Sequence, residues 1–191
     1  FEGELLLIGD EPHRPYDRPP LSKEFLRGEW DEERISLRRK SYDDLDVELM
    51  LGRRAASLDA ESRIVRFEDG GVASFDGLVV ATGGVAKTLP NQPELDGVWT
   101  LRTLDDSLGI RAELDEKPAV AVVGAGFIGA EIAASARQLG LDVTMIEALE
   151  TPLARGLGSD LGSKMQRVHE RHGVRVLCGR RVEHFEGTER V

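Results

Sequence analysis

Cysteine is almost absent: Cys178 stands alone in 191 residues. No internal disulfide can form, and there is no cysteine pair to cycle between thiol and disulfide. A reducing, cytoplasmic setting is expected on that ground. Long apolar runs are missing too, and no window approaches the roughly 18 residues of a membrane span. Phe1 leads straight into a strand-like run, so no leader peptide is expected. His13, His169, His172 and His184 show no metal spacing, and no zinc or iron–sulfur pattern exists. Positive charge is in deficit, with 25 Lys and Arg against 35 Asp and Glu, a net charge of −10. That balance argues against nucleic acid as the main partner. The one basic cluster, Arg34, Arg38, Arg39 and Lys40, reads as a solvated face. There is no solenoid repeat and no low-complexity tract.

What is present begins with proline. Pro12, Pro15, Pro19 and Pro20 fall within "PHRPYDRPP", and a short amphipathic run with Lys23 follows. Proline fixes φ and removes backbone donors, so this stretch is neither an ordinary helix nor a central strand. It reads as a stiff segment that delivers one lysine to a fixed place.

Strands are expected at Glu4 to Gly9, Arg63 to Phe67, Val72 to Phe75 and Leu78 to Thr82, with "EDGG" closing a hairpin. "VELML" and "AASLD" are weaker strand candidates. Leu21 to Arg27 and Tyr42 to Asp46 are short helical candidates. The Gly-, Pro- and Asn-containing text from Gly83 to Gly97 reads as a linker. Beyond it, "LDDSLGIRAELDE" is helical and "AVAVVG" is a buried strand. Ile128, Ile132, Ala136 and Leu139 mark the apolar face of the next helix. "DVTMIE" is a strand, Leu161 to His172 a helix and "VRVLC" a strand. This alternation implies a parallel sheet with helical crossovers. "RVEHFEGTERV" alternates like a further strand. Strand-like text at both ends suggests a piece of a longer protein.

Gly124, Gly126 and Gly129 form G-x-G-x-x-G between a strand and a helix. The first glycine permits the tight turn, the second lets a pyrophosphate approach the backbone, and the third allows close helix–strand packing. Phosphates then meet the free N–H groups and dipole of a helix N-terminus. Glu147 ends the following strand about 20 residues on, placed to accept hydrogen bonds from a ribose diol. Phe127 and Ile128, inside the turn, join the candidate binding residues. Glu131, from position alone, complements the helix dipole.

"RPYDRPPLSKEFLRG", "LVVATGG", "LRTLDDS" and "VVGAGFIGAEIA", in this order and spacing, resemble the FAD-dependent ferredoxin reductases of the pyridine nucleotide-disulfide oxidoreductase superfamily. These serve dioxygenase and P450 systems. The resemblance implies an α/β fold of two Rossmann-like, three-layer nucleotide-binding domains. Residues 1–96 would be a partial FAD-binding domain that lacks its N-terminal glycine motif. Residues 97–191 would be an inserted NAD-binding domain, truncated at its C-terminal side. It implies that Lys23 approaches the reactive edge of the flavin and pairs with Glu131. Asp10, with Glu11 beside it, matches the acid that binds the adenosine ribose of FAD, and Arg14 a position that reaches its phosphates or ribose. Ala55 matches a backbone contact to the adenine side, Thr82 and Gly83 a crossover past the cofactor, and Arg102 an arginine near the flavin.

Disulfide reductases of the superfamily carry a cysteine pair upstream of the position of Ser22 and Lys23. Here Pro19, Pro20 and Leu21 stand there. The implied cofactors are FAD and NAD(H), and the implied partner is a ferredoxin or rubredoxin-like electron acceptor. Two other readings stay open. One is the flavoprotein part of a nitrite reductase or NADH oxidase. The other is an NADH-sensing binding protein similar to apoptosis-inducing factor.

Overall fold

The computed structural model describes residues 3–38, 42–89, 92 and 95–191. Arg39 and Lys40 of the basic cluster lie outside them, as does part of the linker at residues 90–94. The chain divides into two units, Phe1–Asp17 with Glu32–Gly84, and Arg18–Asp31 with Val85–Val191.

In the first unit, β1 (Leu6–Ile8) pairs in parallel with β2 (Glu48–Met50), and a short helix, α1 (Glu32–Ile35), lies between them in sequence. β3 (Ala55–Asp59), β4 (Ile64–Phe67) and β5 (Val72–Ser74) form an antiparallel meander with a register shift between Ala55 and Ser57. The "EDGG" hairpin closes as expected. Asp69 Oδ1 accepts the Gly71 N–H at 2.8 Å, and Phe67 and Gly71 are paired through their backbones at 2.9 Å. Val65 and Phe67 face inward. Arg34 is exposed, but Arg38 is half-buried with its guanidinium 5.6 Å from the Tyr42 ring centre.

Two expectations for this unit fail. Leu78 to Thr82 is not a strand. Its apolar text suits one, but a strand exists only as part of a ladder, and no described segment pairs with it. Val79 is left 87% exposed. Tyr42 to Asp46 forms only a 3-10 turn, Tyr42–Asp44.

The second unit is a parallel sheet in the order β6 (Val120–Val123), β7 (Val143–Ile146), β8 (Val174–Leu177). This is the order of the first half of a Rossmann unit. α2 (Leu104–Asp115) precedes it, α3 (Phe127–Gln138) joins β6 to β7, and α4 (Ala154–Arg171) joins β7 to β8. "LRTLDDS" explains the start of α2. Thr103 is the N-cap, and Asp106 closes the reciprocal capping box, worth about 1 kcal/mol. α4 starts seven residues before the expected Leu161 and is broken at Gly158, whose φ is 77°.

Two of the four residues expected on the apolar face of α3 lie inward, Ala136 and Ile132, the latter packed against the core. Ala130, Ala133 and Ala136 are buried, whereas Ile128 is 50% and Leu139 39% exposed. Small side chains let the helix lie close on β6 and β7, while Ile128 and Leu139 are turned outward. Leu26, from the proline-rich stretch, joins this alanine-lined core with Ile110, Leu114 and Met145.

The Leu21 to Arg27 helix is also not formed. Pro19–Ser22 makes a 3-10 turn, and hydrogen-bonded turns follow to Gly28. Pro19 and Pro20 occupy the first two positions of that turn, where a missing N–H costs nothing. "RVEHFEGTERV" contains no strand, only an isolated bridge between Arg190 and Asp96.

Candidate functional site

The glycine turn is built from three different constraints. Gly124 continues the ladder by donating its N–H to the Ile146 carbonyl at 2.8 Å, and it has a φ of 97° that side chains rarely adopt. A Cβ on Gly129 would lie 1.9 Å from the Gly124 carbonyl oxygen, so the helix can approach the strand only without one. Gly126 is different. Its φ is −74° and an added Cβ would meet nothing within 4 Å. Nothing in the fold requires glycine there. The open space lies at the N-cap of α3, where no side chain caps the free N–H groups. That arrangement fits a pyrophosphate.

Glu147 completes the turn. Its Oε2 accepts the Ala125 N–H at 2.7 Å and its Oε1 the Leu149 N–H at 2.8 Å. The carboxylate therefore ties the glycine turn to the loop after β7. A carboxylate has about four lone-pair sites, so about two remain for a diol.

A second cluster forms where the 3-10 turn meets the first turns of α3. Lys23 Nζ lies 3.0 Å from Glu131 Oε2, with the side chains 32% and 37% exposed. The Ser22 hydroxyl donates to the same oxygen at 2.5 Å. The turn is fastened from both helices. Ser107 Oγ donates to the Leu21 carbonyl at 2.8 Å, and Ser135 Oγ to the Ser22 carbonyl at 2.7 Å. Arg18 Nη1 donates to the Arg102 carbonyl at 2.6 Å. A depression of about 300 Å³ opens here, lined by Arg18, Leu21, Lys23, Leu101, Arg102, Phe127, Ile128 and Glu131. Phe127 and Ile128 are 57% and 50% exposed at its wall. A half-exposed ion pair contributes at most about 1 kcal/mol of stability. Four side-chain hydrogen bonds hold its base in place.

The family model for pyridine nucleotide-disulphide oxidoreductases matches residues 1–191. The chain belongs to that family. The oxidoreductases of this family and their ferredoxin–NAD(+) reductases use FAD and NAD(H). Among curated oxidoreductases, the chain is 39% identical over 191 residues to rhodocoxin reductase of Rhodococcus erythropolis, covering 99% of this chain and 45% of that protein. It is 39% identical over 192 residues to the ferredoxin–NAD(+) reductase component of the biphenyl dioxygenase system of Paraburkholderia xenovorans (strain LB400), covering 100% of this chain and 47% of that one. Among solved structures, the ferredoxin reductase for the CYP199A2 system from Rhodopseudomonas palustris superposes with a TM-score of 0.91 at 36% identity, over 98% of this chain and 46% of that one. Putidaredoxin reductase, in a covalent complex with putidaredoxin, gives 0.88 at 30% over 98% and 46%. The chain spans about half the length of the curated relatives it matches.

The oxidoreductase candidates in the first unit are more scattered. Asp10 and Arg14 are exposed just after β1. Glu11 accepts a hydrogen bond from the Tyr16 hydroxyl. Ala55 is exposed at the start of β3, and Thr82 and Gly83 lie in an exposed, irregular segment. Asp10, Arg14 and Thr82 share no hydrogen bond or ion pair among the described residues. In the second unit, Gly124, Gly126, Gly129 and Glu147 converge on the turn, and Lys23, Arg102, Phe127, Ile128 and Glu131 on the depression. The sequence reading did not name Arg18, Ser22, Ser107 or Ser135 as site residues. No local pattern marks them in the sequence, although Ser107 on α2 and Ser135 on α3 are 0% and 1% exposed.

Proposed function

We propose that the chain is part of an FAD-dependent NADH:ferredoxin oxidoreductase. The observation that carries this reading is the Lys23–Glu131 pair at the wall of a depression that also takes in Phe127 and Ile128 of the glycine turn. The names of the relatives support the choice of acceptor. Bound FAD and NAD(H) would supply hydride transfer followed by one-electron delivery to a small iron–sulfur protein.

The chain's own residues hold and tune. The N–H groups at the start of α3 receive the dinucleotide phosphates, with Gly126 leaving them room. Glu147 receives the ribose hydroxyls. Lys23 presents a fixed positive charge, Glu131 orients it, and Arg102 adds a second cation. Asp10, Glu11, Arg14, Ala55, Thr82 and Gly83 are assigned to FAD. Residues 1–96 are assigned to the FAD-binding domain and 97–191 to the NAD-binding domain. The residues before Ser22 include no cysteine pair, so an external acceptor takes the electrons. A cytoplasmic location is part of the proposal. It draws on the lone Cys178, and no helix among the described residues is long and apolar enough to cross a membrane.

The test is Lys23→Ala in the full-length flavoprotein, followed by stopped-flow reduction with NADH. A positive charge that acts as charge develops affects the limiting rate, not ground-state binding. The expected result is a limiting rate at least about tenfold lower with little change in the NADH dissociation constant. An unchanged limiting rate, or no reduction of a ferredoxin by the unmodified protein, overturns the reading.

A further inference from the structure

We propose that Ser22 is a positioning residue for the Lys23–Glu131 pair, an inference that rests on the function proposed above. Glu131 Oε2 receives two donors, the Lys23 ammonium at 3.0 Å and the Ser22 hydroxyl at 2.5 Å. A hydroxyl has one proton. Among the described residues the Pro19 carbonyl is the one other acceptor of Ser22 Oγ, and at 3.4 Å it is the poorer one. The proton therefore goes to the carboxylate in a charge-assisted bond.

Lys23 alone cannot fix Glu131. Its side chain is long, flexible and one-third exposed, and an ammonium is a point charge without directional demand. Ser22 is short and 4% exposed. Its backbone is fixed in turn, because its carbonyl accepts the hydroxyl of Ser135, which is 1% exposed. Ser135 lies on α3 one turn after Glu131. The same helix thus supplies the carboxylate and the anchor of the serine that orients it. With Oε2 committed twice, Glu131 Oε1 has no donor among the described residues and is the oxygen left to face a ligand.

The experiment uses the full-length flavoprotein with Ser22→Ala, Ser22→Cys, Ser22→Thr, Glu131→Ala and the Ser22→Ala/Glu131→Ala double variant. Ser22→Cys keeps the volume with a poor donor, so it reports even where the alanine variant folds badly. Limiting rates of flavin reduction, NAD+ dissociation constants and flavin midpoint potentials are measured. Ser22→Ala and Ser22→Cys are expected to slow the limiting rate about tenfold, as loosened geometry does. The NAD+ dissociation constant should stay within about twofold, and the potential should move toward that of Glu131→Ala. Ser22→Thr should restore most of the rate. In the Glu131→Ala background, removing Ser22 should cost less than about twofold more, because the pair acts as one unit. An unchanged rate in both Ser22→Ala and Ser22→Cys, or the same loss with and without Glu131, overturns the inference and leaves the function standing. No effect of Glu131→Ala overturns both.

Discussion

Glu147 and Ala125 are 22 residues apart in sequence, yet the carboxylate of one accepts the amide hydrogen of the other at 2.7 Å. The acid that reads as a ribose ligand is thus already part of the turn that reads as a phosphate ligand. Glu147→Gln replaces one accepting oxygen by an NH₂ that cannot take an N–H. NADH binding is expected to weaken about tenfold, from one lost charge-assisted bond of about 1.5 kcal/mol. The unmodified full-length enzyme should prefer NADH over NADPH by roughly tenfold to a hundredfold, because a 2′-phosphate beside Glu147 is repelled. Specificity constants for both nucleotides check this. Equal use of NADPH, or a ratio unmoved by Glu147→Gln, would assign the ribose to another residue.

Gly126→Ala and Gly129→Ala should part company. A Cβ at Gly129 collides with the Gly124 carbonyl at 1.9 Å and neither backbone can yield cheaply. Gly129→Ala is expected to lose about 3 kcal/mol of stability. A Cβ at Gly126 has room, so Gly126→Ala should lose less than about 1 kcal/mol and still bind NAD+ at least about tenfold more weakly. Urea melts and NAD+ titration of the two variants decide it. Tight binding by Gly126→Ala would remove the pyrophosphate from this turn.

Stability should fall as the solution is acidified through the histidine range. Burial, with a smaller push from His172, holds the His169 imidazole below its ordinary value. The unfolded chain therefore binds the proton first. The stabilisation is complete above the unfolded value of about 6.5 and is lost as pH drops below it. Between pH 7 and 5, His169→Gln should flatten the slope of unfolding free energy by up to about 1.4 kcal/mol per pH unit. Identical slopes for variant and parent would show that His169 takes its proton freely in the fold.

Cys178 should react sluggishly. Burial, and then the nearby Glu147 and Glu170 carboxylates, push its thiol up from the ordinary value. Less thiolate means less nucleophile. Iodoacetamide at pH 7.5 should modify it at least about tenfold more slowly than a free thiol. Mass spectrometry follows the reaction, and labelling as fast as glutathione would contradict the burial.

The second unit was far more legible than the first. Its strands are apolar runs that pair with neighbours inside the same stretch, so local text and ladder agree at "AVAVVG", "DVTMIE" and "VRVLC". Leu78 to Thr82 has equally good text and no described partner, and pairing is invisible to periodicity. The face of α3 is only partly legible: Ile132 and Ala136 lie inward, but Ile128 and Leu139, apolar at the same spacing, do not. Close packing at Gly129 puts alanines inside and leaves Ile128 at the site. The glycine turn, Lys23 and Glu131 could be named beforehand. The serines could not, because a buried serine bonded to a distant carbonyl leaves no local pattern.

The fastening of Ser22 by Ser135 sets a waiting time during synthesis. The two residues are 113 positions apart. At about 5–20 residues per second, the ribosome needs roughly 6–23 s to deliver the second after the first. For that interval the side chains of Leu21, Phe25 and Leu26, at most 2% exposed once folded, have no core to enter. Pro19 and Pro20 narrow what the waiting segment can do, since a fixed φ lowers the entropy to be lost on docking. The stiff segment that presents Lys23 in the finished molecule is, on the nascent chain, a pre-shaped piece held in reserve.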